Sequence, residues 1–172
     1  MNQVQEASAV HQDIDPAIFR SIMAAFPTGV TVITTTDAEG KSRGFTSNAV
    51  TSVSLNPPML LVCVALTSET LPVLQHTRRF VVNFLKSGAH DISNHFARKG
   101  SDKFAGVDHE LRDGLPVLTS HTIAHAVCTT ETEVEAGDHI ILIGRVHTGD
   151  ALTETDPLLY YQSKYPTWPA PE

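Results

Sequence analysis

The chain has 172 residues, 41% apolar and 18% charged, enough to bury a sizeable core in one domain without disulfide or metal staples. Twelve basic against nineteen acidic side chains give a formal charge of -7 with the basic groups scattered, which opposes binding to nucleic-acid phosphates and to anionic membrane surfaces. The longest apolar run, Met59 to Leu66, is far shorter than the roughly 20 residues of a membrane-crossing helix, and the opening residues have neither the basic start nor the apolar stretch of a signal peptide, so a cytoplasmic protein is expected.

Residues 1–14 lack periodicity and are expected as a flexible arm, followed by one domain over 15–165 and a proline-bearing extended tail over 166–172. Asp15-Pro16 is a cap and first-turn signal, and Ile18, Phe19, Ile22, Met23 and Phe26 recur at three- and four-residue spacing. This predicts an amphipathic helix that stops before Pro27. The β-branched run Val30–Thr36, a turn at Asp37–Gly40 and a return strand from Arg43 to about Val50 predict a hairpin. Asn56-Pro57-Pro58 then punctuates the chain ahead of a buried strand, Met59–Ala65. A short helix over Ser68–Thr77, a strand over Phe80–Leu85 and a helix over Asp91–Arg98 follow. A loop, Gly100–Pro116, leads to two long strands, Thr122–Glu135 and His139–Val146, joined at Gly137-Asp138. Strands outnumber helices without strict alternation, which favours a mainly β barrel with a few short α-helices over a doubly wound sheet.

Several familiar sites are excluded. Gly40-Lys41-Ser42 lacks the upstream glycine of a phosphate-binding loop, no GxGxxG spacing exists, and there is no GxSxG elbow. His121 and His125 lie in β-prone sequence, where four residues span about 13 Å, too far for one metal ion, so no metal site is expected. Cys63 and Cys128 sit in apolar, β-prone sequence and are expected as buried free thiols. Reactivity in such a chain has to come from a cofactor.

The segment Gly44–Pro58 (GFTSNAVTSVSLNPP) is dense in small hydroxyl and amide residues and ends in a double proline. By composition it reads first as a solvated β-edge rich in Ser and Thr, and otherwise as a backbone ribbon that a flat ligand approaches closely. With the preceding Phe26–Thr35 (FPTGVTVITT), it resembles the opening of the short-chain flavin reductase family, the small component of two-component flavin-dependent monooxygenases. Phe80–Leu85, Phe96-Ala97, Asp102–Gly106, Gly114–Pro116, Gly137-Asp138-His139, Ile143–Val146 and Pro157–Tyr161 extend the resemblance in order over about Phe19 to Tyr165.

The resemblance implies a split β-barrel homodimer that uses NADH or NADPH to reduce FMN or FAD and supplies the reduced flavin to a partner monooxygenase. It places Thr46, Ser47, Asn48, Ala49, Val50, Ser52 and Val53 along the isoalloxazine and ribityl chain. Cys63, Val64 and Ala65 approach its pyrimidine edge, and Ser68 and Thr70 offer hydroxyls and helix-start amides to the phosphate. Asn83, Phe84 and Phe96 are further lining candidates, although Phe84 reads equally as core, and Lys103 is the candidate phosphate partner. His139 is implied at the nicotinamide, as the catalytic residue that hydrogen-bonds the pyridine nucleotide and delivers a proton. Tyr160, Tyr161, Gln162, Ser163 and Tyr165 occupy the implied dinucleotide segment, where aromatic faces suit stacking. The competing readings are a flavin storage or sensor module without turnover, and a pyridoxamine-phosphate-oxidase-like enzyme, which would need a basic cluster the sequence lacks.

Overall fold

The computed structural model describes residues 13–100, 102–152 and 154–167. Of the expected arm only residues 13 and 14 fall within it, and of the expected tail only 166 and 167; the rest of both lies outside the described residues.

Helix α1 (Pro16–Ala24) begins where its signals lie, with Ala17 N donating to Asp15 Oδ1 at 2.6 Å and Pro16 in the first turn. It stops short of the expected Phe26. The last turn tightens, with Ala25 N bonded to Ile22 O and Phe26 N to Met23 O, because the residue before Pro27 is driven from helical geometry. None of its residues is buried.

Beyond α1 run β1 (Thr28–Gly29), β2 (Thr31–Thr36), β3 (Ser42–Ser47), β4 (Val50–Leu55) and β5 (Pro58–Ala65), then α2 (Leu71–Thr77), β6 (Arg79–Leu85) and α3 (His90–Ala97). The second half contains β7 (Glu110–Arg112), β8 (Leu115–Val117), β9 (Thr122–Ala136), β10 (His139–Ala151) and β11 (Leu159–Tyr160). Two differences from expectation shape the molecule. The predicted return strand to Val50 breaks after Ser47, so that Asn48 and Ala49 separate two strands with different neighbours. The predicted loop over 100–116 contains β7 and the start of β8, whose three-residue strands are too short to show a period.

The main sheet has the order β3-β2-β6-β9-β10-β5-β4, antiparallel throughout. Its two edge strands are consecutive in the chain, joined only by Asn48 and Ala49, so the sheet curls until its edges approach. Cys63 N donates to Ala49 O at 3.0 Å, which extends the β4–β5 ladder one rung beyond Val50. The result is the expected mainly β split barrel with three short helices. Its interior holds Ile33, Val62, Val64, Phe80, Val82 and Leu142, all fully buried or nearly so. Along β5, Leu60, Val62 and Val64 point into this core while Leu61, Cys63 and Ala65 face outward, the two-residue alternation of a strand. Gly144 is required where β10 crosses Phe80: a Cβ there would lie 2.6 Å from the phenyl Cζ. Cys128 and Cys63 are free thiols, buried and half-buried; burial pushes the Cys128 thiol up to about 12 and raises Cys63 in the same direction.

Candidate functional site

The break at Asn48-Ala49 is the junction of three compartments, and Asn48 lines all of them. The largest, a cleft of about 630 Å³, has Phe26, Pro27, Thr28 and Gly29 on one side and Asn48 to Thr51 on the other. Leu61, Cys63 and Phe84 supply further apolar walls. This size lies within the range of small-molecule sites. The open space around Gly29, whose Cβ would meet nothing within 4 Å, and the small Ala49 leave the backbone approachable. Asn48 Nδ2 donates to Thr28 Oγ1 at 3.3 Å, and its Oδ1 has no partner among the described residues. A flat ring with polar edges fits an apolar cleft of this kind with an amide at its rim.

A second compartment of about 250 Å³ lies between α1, which contributes Phe19, Arg20 and Met23, and the turn Tyr160–Ser163. That turn has Gln162 and Ser163 in the left-handed region, at φ 47° and 60°, and is fastened to α1 by Gln162 N donating to Ala24 O at 3.3 Å. The third, about 280 Å³, is bounded by Thr46, Ser93, Asn94, Tyr160 and Tyr165. The Tyr165 hydroxyl is anchored, donating to Asn94 Oδ1 at 3.0 Å and lying 2.9 Å from Ser93 Oγ, while its ring packs at 5.5 Å from Tyr160. Thr46 Oγ1 donates to Ser93 O at 2.6 Å, which fixes β3 against α3.

His139 opens β10 beside Ala65 and lies on the outward face that also presents Cys63 and Ile141, since directly paired residues share a face. Its Nδ1 lies 2.7 Å from Asp138 Oδ1. An ionised carboxylate only accepts, so Nδ1 carries the proton and Nε2 is left without a partner among the described residues. The hydrogen bond from His139, and its charge when protonated, hold the Asp138 carboxyl below its usual range.

The other expected residues divide. Val50, Cys63 and Phe84 line the main cleft, as do Asn48 and Ala49, whereas Ser47 is buried, its Oγ accepting from Ala49 N at 3.1 Å and its carbonyl accepting from Thr31 Oγ1. Val64 is fully buried on the core side, and Ala65 is half-buried on the face shared with His139. Ser52 and Val53 lie at an irregularity in the exposed edge strand β4 and line none of the three compartments. Asn83 does not reach the groove: it is fully buried, Nδ2 donates to Val32 O and Thr34 Oγ1, and Oδ1 accepts from Leu118 N. Phe96 is likewise fully buried, edge-on to Phe104.

The expected phosphate end is a small recess formed by Ser42, Arg43, Gly44, Glu69, Thr70 and Lys103. Its donors are largely engaged. Lys103 Nζ donates to Phe96 O at 3.0 Å and Gly44 O at 3.2 Å, and burial lowers the ammonium pKa while nearby Glu69 opposes that shift. Thr70 N donates to Ser68 Oγ, Leu71 N donates to Ser68 O, and Pro72 has no N–H, so few helix-start amides remain. Sequence reasoning missed Phe19, Arg20, Met23 and Phe26 as groove walls. Their spacing signalled a helix, but nothing local showed that one side of it faces the tyrosine turn. His125 is joined to Arg112 at 3.1 Å, and no group of three metal-ligating side chains exists among the described residues.

A family model described as "Flavin reductase like domain" matches residues 23–169. A "Probable flavin reductase" of Rhizobium meliloti (strain 1021) is 49% identical over 133 residues, covering 77% of this chain and 42% of the relative, so the chain spans under half of that protein's length. The "Flavin-dependent monooxygenase, reductase subunit HsaB" of Rhodococcus jostii (strain RHA1) is 36% identical over 167 residues, 96% of this chain and 85% of that one. Among solved structures, the Streptomyces globisporus C-1027 NADH:FAD oxidoreductase SgcE6 in complex with NAD and FAD fragments superposes with a TM-score of 0.86 at 32% identity. The match covers 93% of this chain and 98% of that one.

Proposed function

The chain belongs to the flavin reductase-like family, and from that premise we propose that it reduces FMN or FAD with NADH or NADPH and passes the reduced flavin to a partner monooxygenase. The observation that carries this reading is the junction at Asn48, where one wide apolar cleft meets two aromatic-walled compartments. The cleft fits an isoalloxazine: Ala49 and Gly29 permit close approach, Leu61, Cys63 and Phe84 supply apolar walls, and the free Asn48 Oδ1 can accept from a ring N–H. A flavin bound there supplies an N5 able to accept the hydride of a reduced nicotinamide.

The chain's own residues align and shield. Asn48 and Thr28 orient the polar edge of the ring, and Phe26 and Met23 close the cleft against water. Alignment of this kind removes much of the entropic barrier to a transfer between two bound rings. His139, its tautomer set by Asp138, offers Nε2 as an acceptor on the face of Cys63, where it holds the carboxamide of the nicotinamide. Tyr160 and Tyr161 provide stacking surfaces for the rest of the dinucleotide.

We place the site in a homodimer. Paired side chains on the outer sheet face leave Leu61, Ile141, Ile143 and Val134 in an apolar patch, and Ile18 and Ile22 on α1 are 54% and 55% exposed. A second copy covering both would remove this exposed apolar surface from water. Light scattering on a sizing column should return twice the chain mass. The activity is tested by following NADH and NADPH oxidation at 340 nm with and without added FMN or FAD. Flavin-dependent oxidation supports a reductase; flavin binding without oxidation would indicate a storage or sensor module instead.

A further inference from the structure

We infer that Arg20 binds a phosphate of the reduced dinucleotide, which makes the exposed helix α1 part of the pyridine-nucleotide site. This deepens the reductase reading and rests on it. At 100° per residue, Phe19, Met23, Arg20 and Ala24 fall on one side of α1, and these four line the compartment closed by Tyr160, Tyr161, Gln162 and Ser163. Ile18 and Ile22 fall on the other side, so a partner copy packed on the isoleucines leaves the arginine facing the groove.

Three further observations point to a phosphate. Arg20 is the only lysine or arginine lining any of the three compartments that meet at Asn48, and it has no ion-pair or hydrogen-bond partner among the described residues. The compartment joins the ring cleft through Met23, Phe26 and Asn48, so one extended molecule can occupy both. Its place is also held: the left-handed Gln162-Ser163 turn is bonded to the C-terminal end of α1, which fixes Tyr160 and Tyr161 as walls of the compartment that Arg20 lines. A cation in a tyrosine-lined compartment, on a chain of charge -7, matches the phosphate and adenine of a dinucleotide, groups that NAD(P)H shares with FAD; an unchanged flavin Kd in the Arg20 variants assigns the contact to the pyridine nucleotide. The phosphate belongs either to the pyrophosphate common to both dinucleotides or to the 2′-phosphate of NADPH alone.

The test uses the full chain saturated with flavin, with Arg20→Ala and Arg20→Lys. Steady-state KM and kcat are measured for NADH, NADPH and an N-benzyl dihydronicotinamide, which has no phosphate. Arg20→Ala should raise the dinucleotide KM about tenfold, the scale of one partly exposed charge-assisted hydrogen bond, with kcat unchanged. Arg20→Lys should recover most of the loss, and the benzyl donor should be oxidised at the wild-type rate. A rise for both dinucleotides assigns the pyrophosphate; a rise for NADPH alone assigns the 2′-phosphate. Unchanged KM for both, or an equal loss with the phosphate-free donor, overturns the inference. If the wild-type chain oxidises neither dinucleotide in the presence of flavin, the reductase reading itself fails instead.

Discussion

Replacing Asn83 by alanine separates the two roles this residue has been given. The resemblance puts it at the flavin, whereas the structure uses all of it for the fold. Nδ2 donates to Val32 O and to Thr34 Oγ1, each at 3.0 Å, and Oδ1 accepts from Leu118 N at 2.9 Å, on a side chain with 0% exposure. Alanine removes three buried hydrogen bonds and leaves the Leu118 N–H without that acceptor in the core. Each net bond is worth about 1 kcal/mol and an orphaned buried donor adds about 1–3 kcal/mol, so a loss of about 4–6 kcal/mol is expected. That is a large part of the roughly 5–15 kcal/mol that holds a domain together. Urea unfolding followed by tryptophan fluorescence or circular dichroism gives the difference directly. Flavin titration under conditions where the variant is still folded should return an affinity within about twofold of wild type, since a shift that small is below about 0.5 kcal/mol. Stability within about 1 kcal/mol of wild type together with a tenfold loss of flavin affinity would refute the structural assignment and restore the one drawn from resemblance.

Three more outcomes are expected. His139→Ala should slow anaerobic flavin reduction by about 10- to 100-fold at saturating NADH, within the scale of a positioned acid–base or orienting group, while flavin affinity holds; an unchanged stopped-flow rate removes His139 from the reaction. Gly149→Ala should lose about 1–3 kcal/mol, because its Cβ would lie 2.4 Å from the backbone carbonyl of His125, which has no rotamer with which to retreat; a urea midpoint equal to wild type contradicts this packing. Burial first, then Arg112, holds the His125 pKa below its usual value, with Asp150 opposing. In the window below about pH 6.5 the unfolded chain therefore takes up a proton that the folded chain refuses, and stability falls as pH drops toward the lowered folded value. His125→Gln should flatten the change in urea midpoint between about pH 7 and pH 5, and an identical slope in both proteins would rule out this source of acid sensitivity.

What the sequence revealed, and what it concealed, follows from the range of the interactions involved. Asp15-Pro16 announces α1, and the continuous apolar run Met59–Ala65 behind Pro57-Pro58 announces β5, because both signals are local. The split between β3 and β4 is not local. Residues Arg43–Val50 read as one strand, but the β2 ladder ends at Ser47 and Ala49 O accepts instead from Cys63 N of β5, a strand distant in sequence. Asn83, Lys103 and Thr70 illustrate the same limit in the site. Their residue types suit a flavin or a phosphate, but their polar atoms are met by Leu118, Gly44, Phe96 and Ser68, partners from distant strands or adjoining turns. Arg20 is the converse case: a charge on an exposed helix that no motif singles out, lining a compartment whose tyrosine wall is tied to α1 by one backbone bond from Gln162. Among the described residues the polar groups the fold leaves unpaired for a ligand include Asn48 Oδ1, Arg20 and the Nε2 of His139, and these three lie around one junction and the sheet face beside it. This distribution ties binding and alignment to the same break in the barrel.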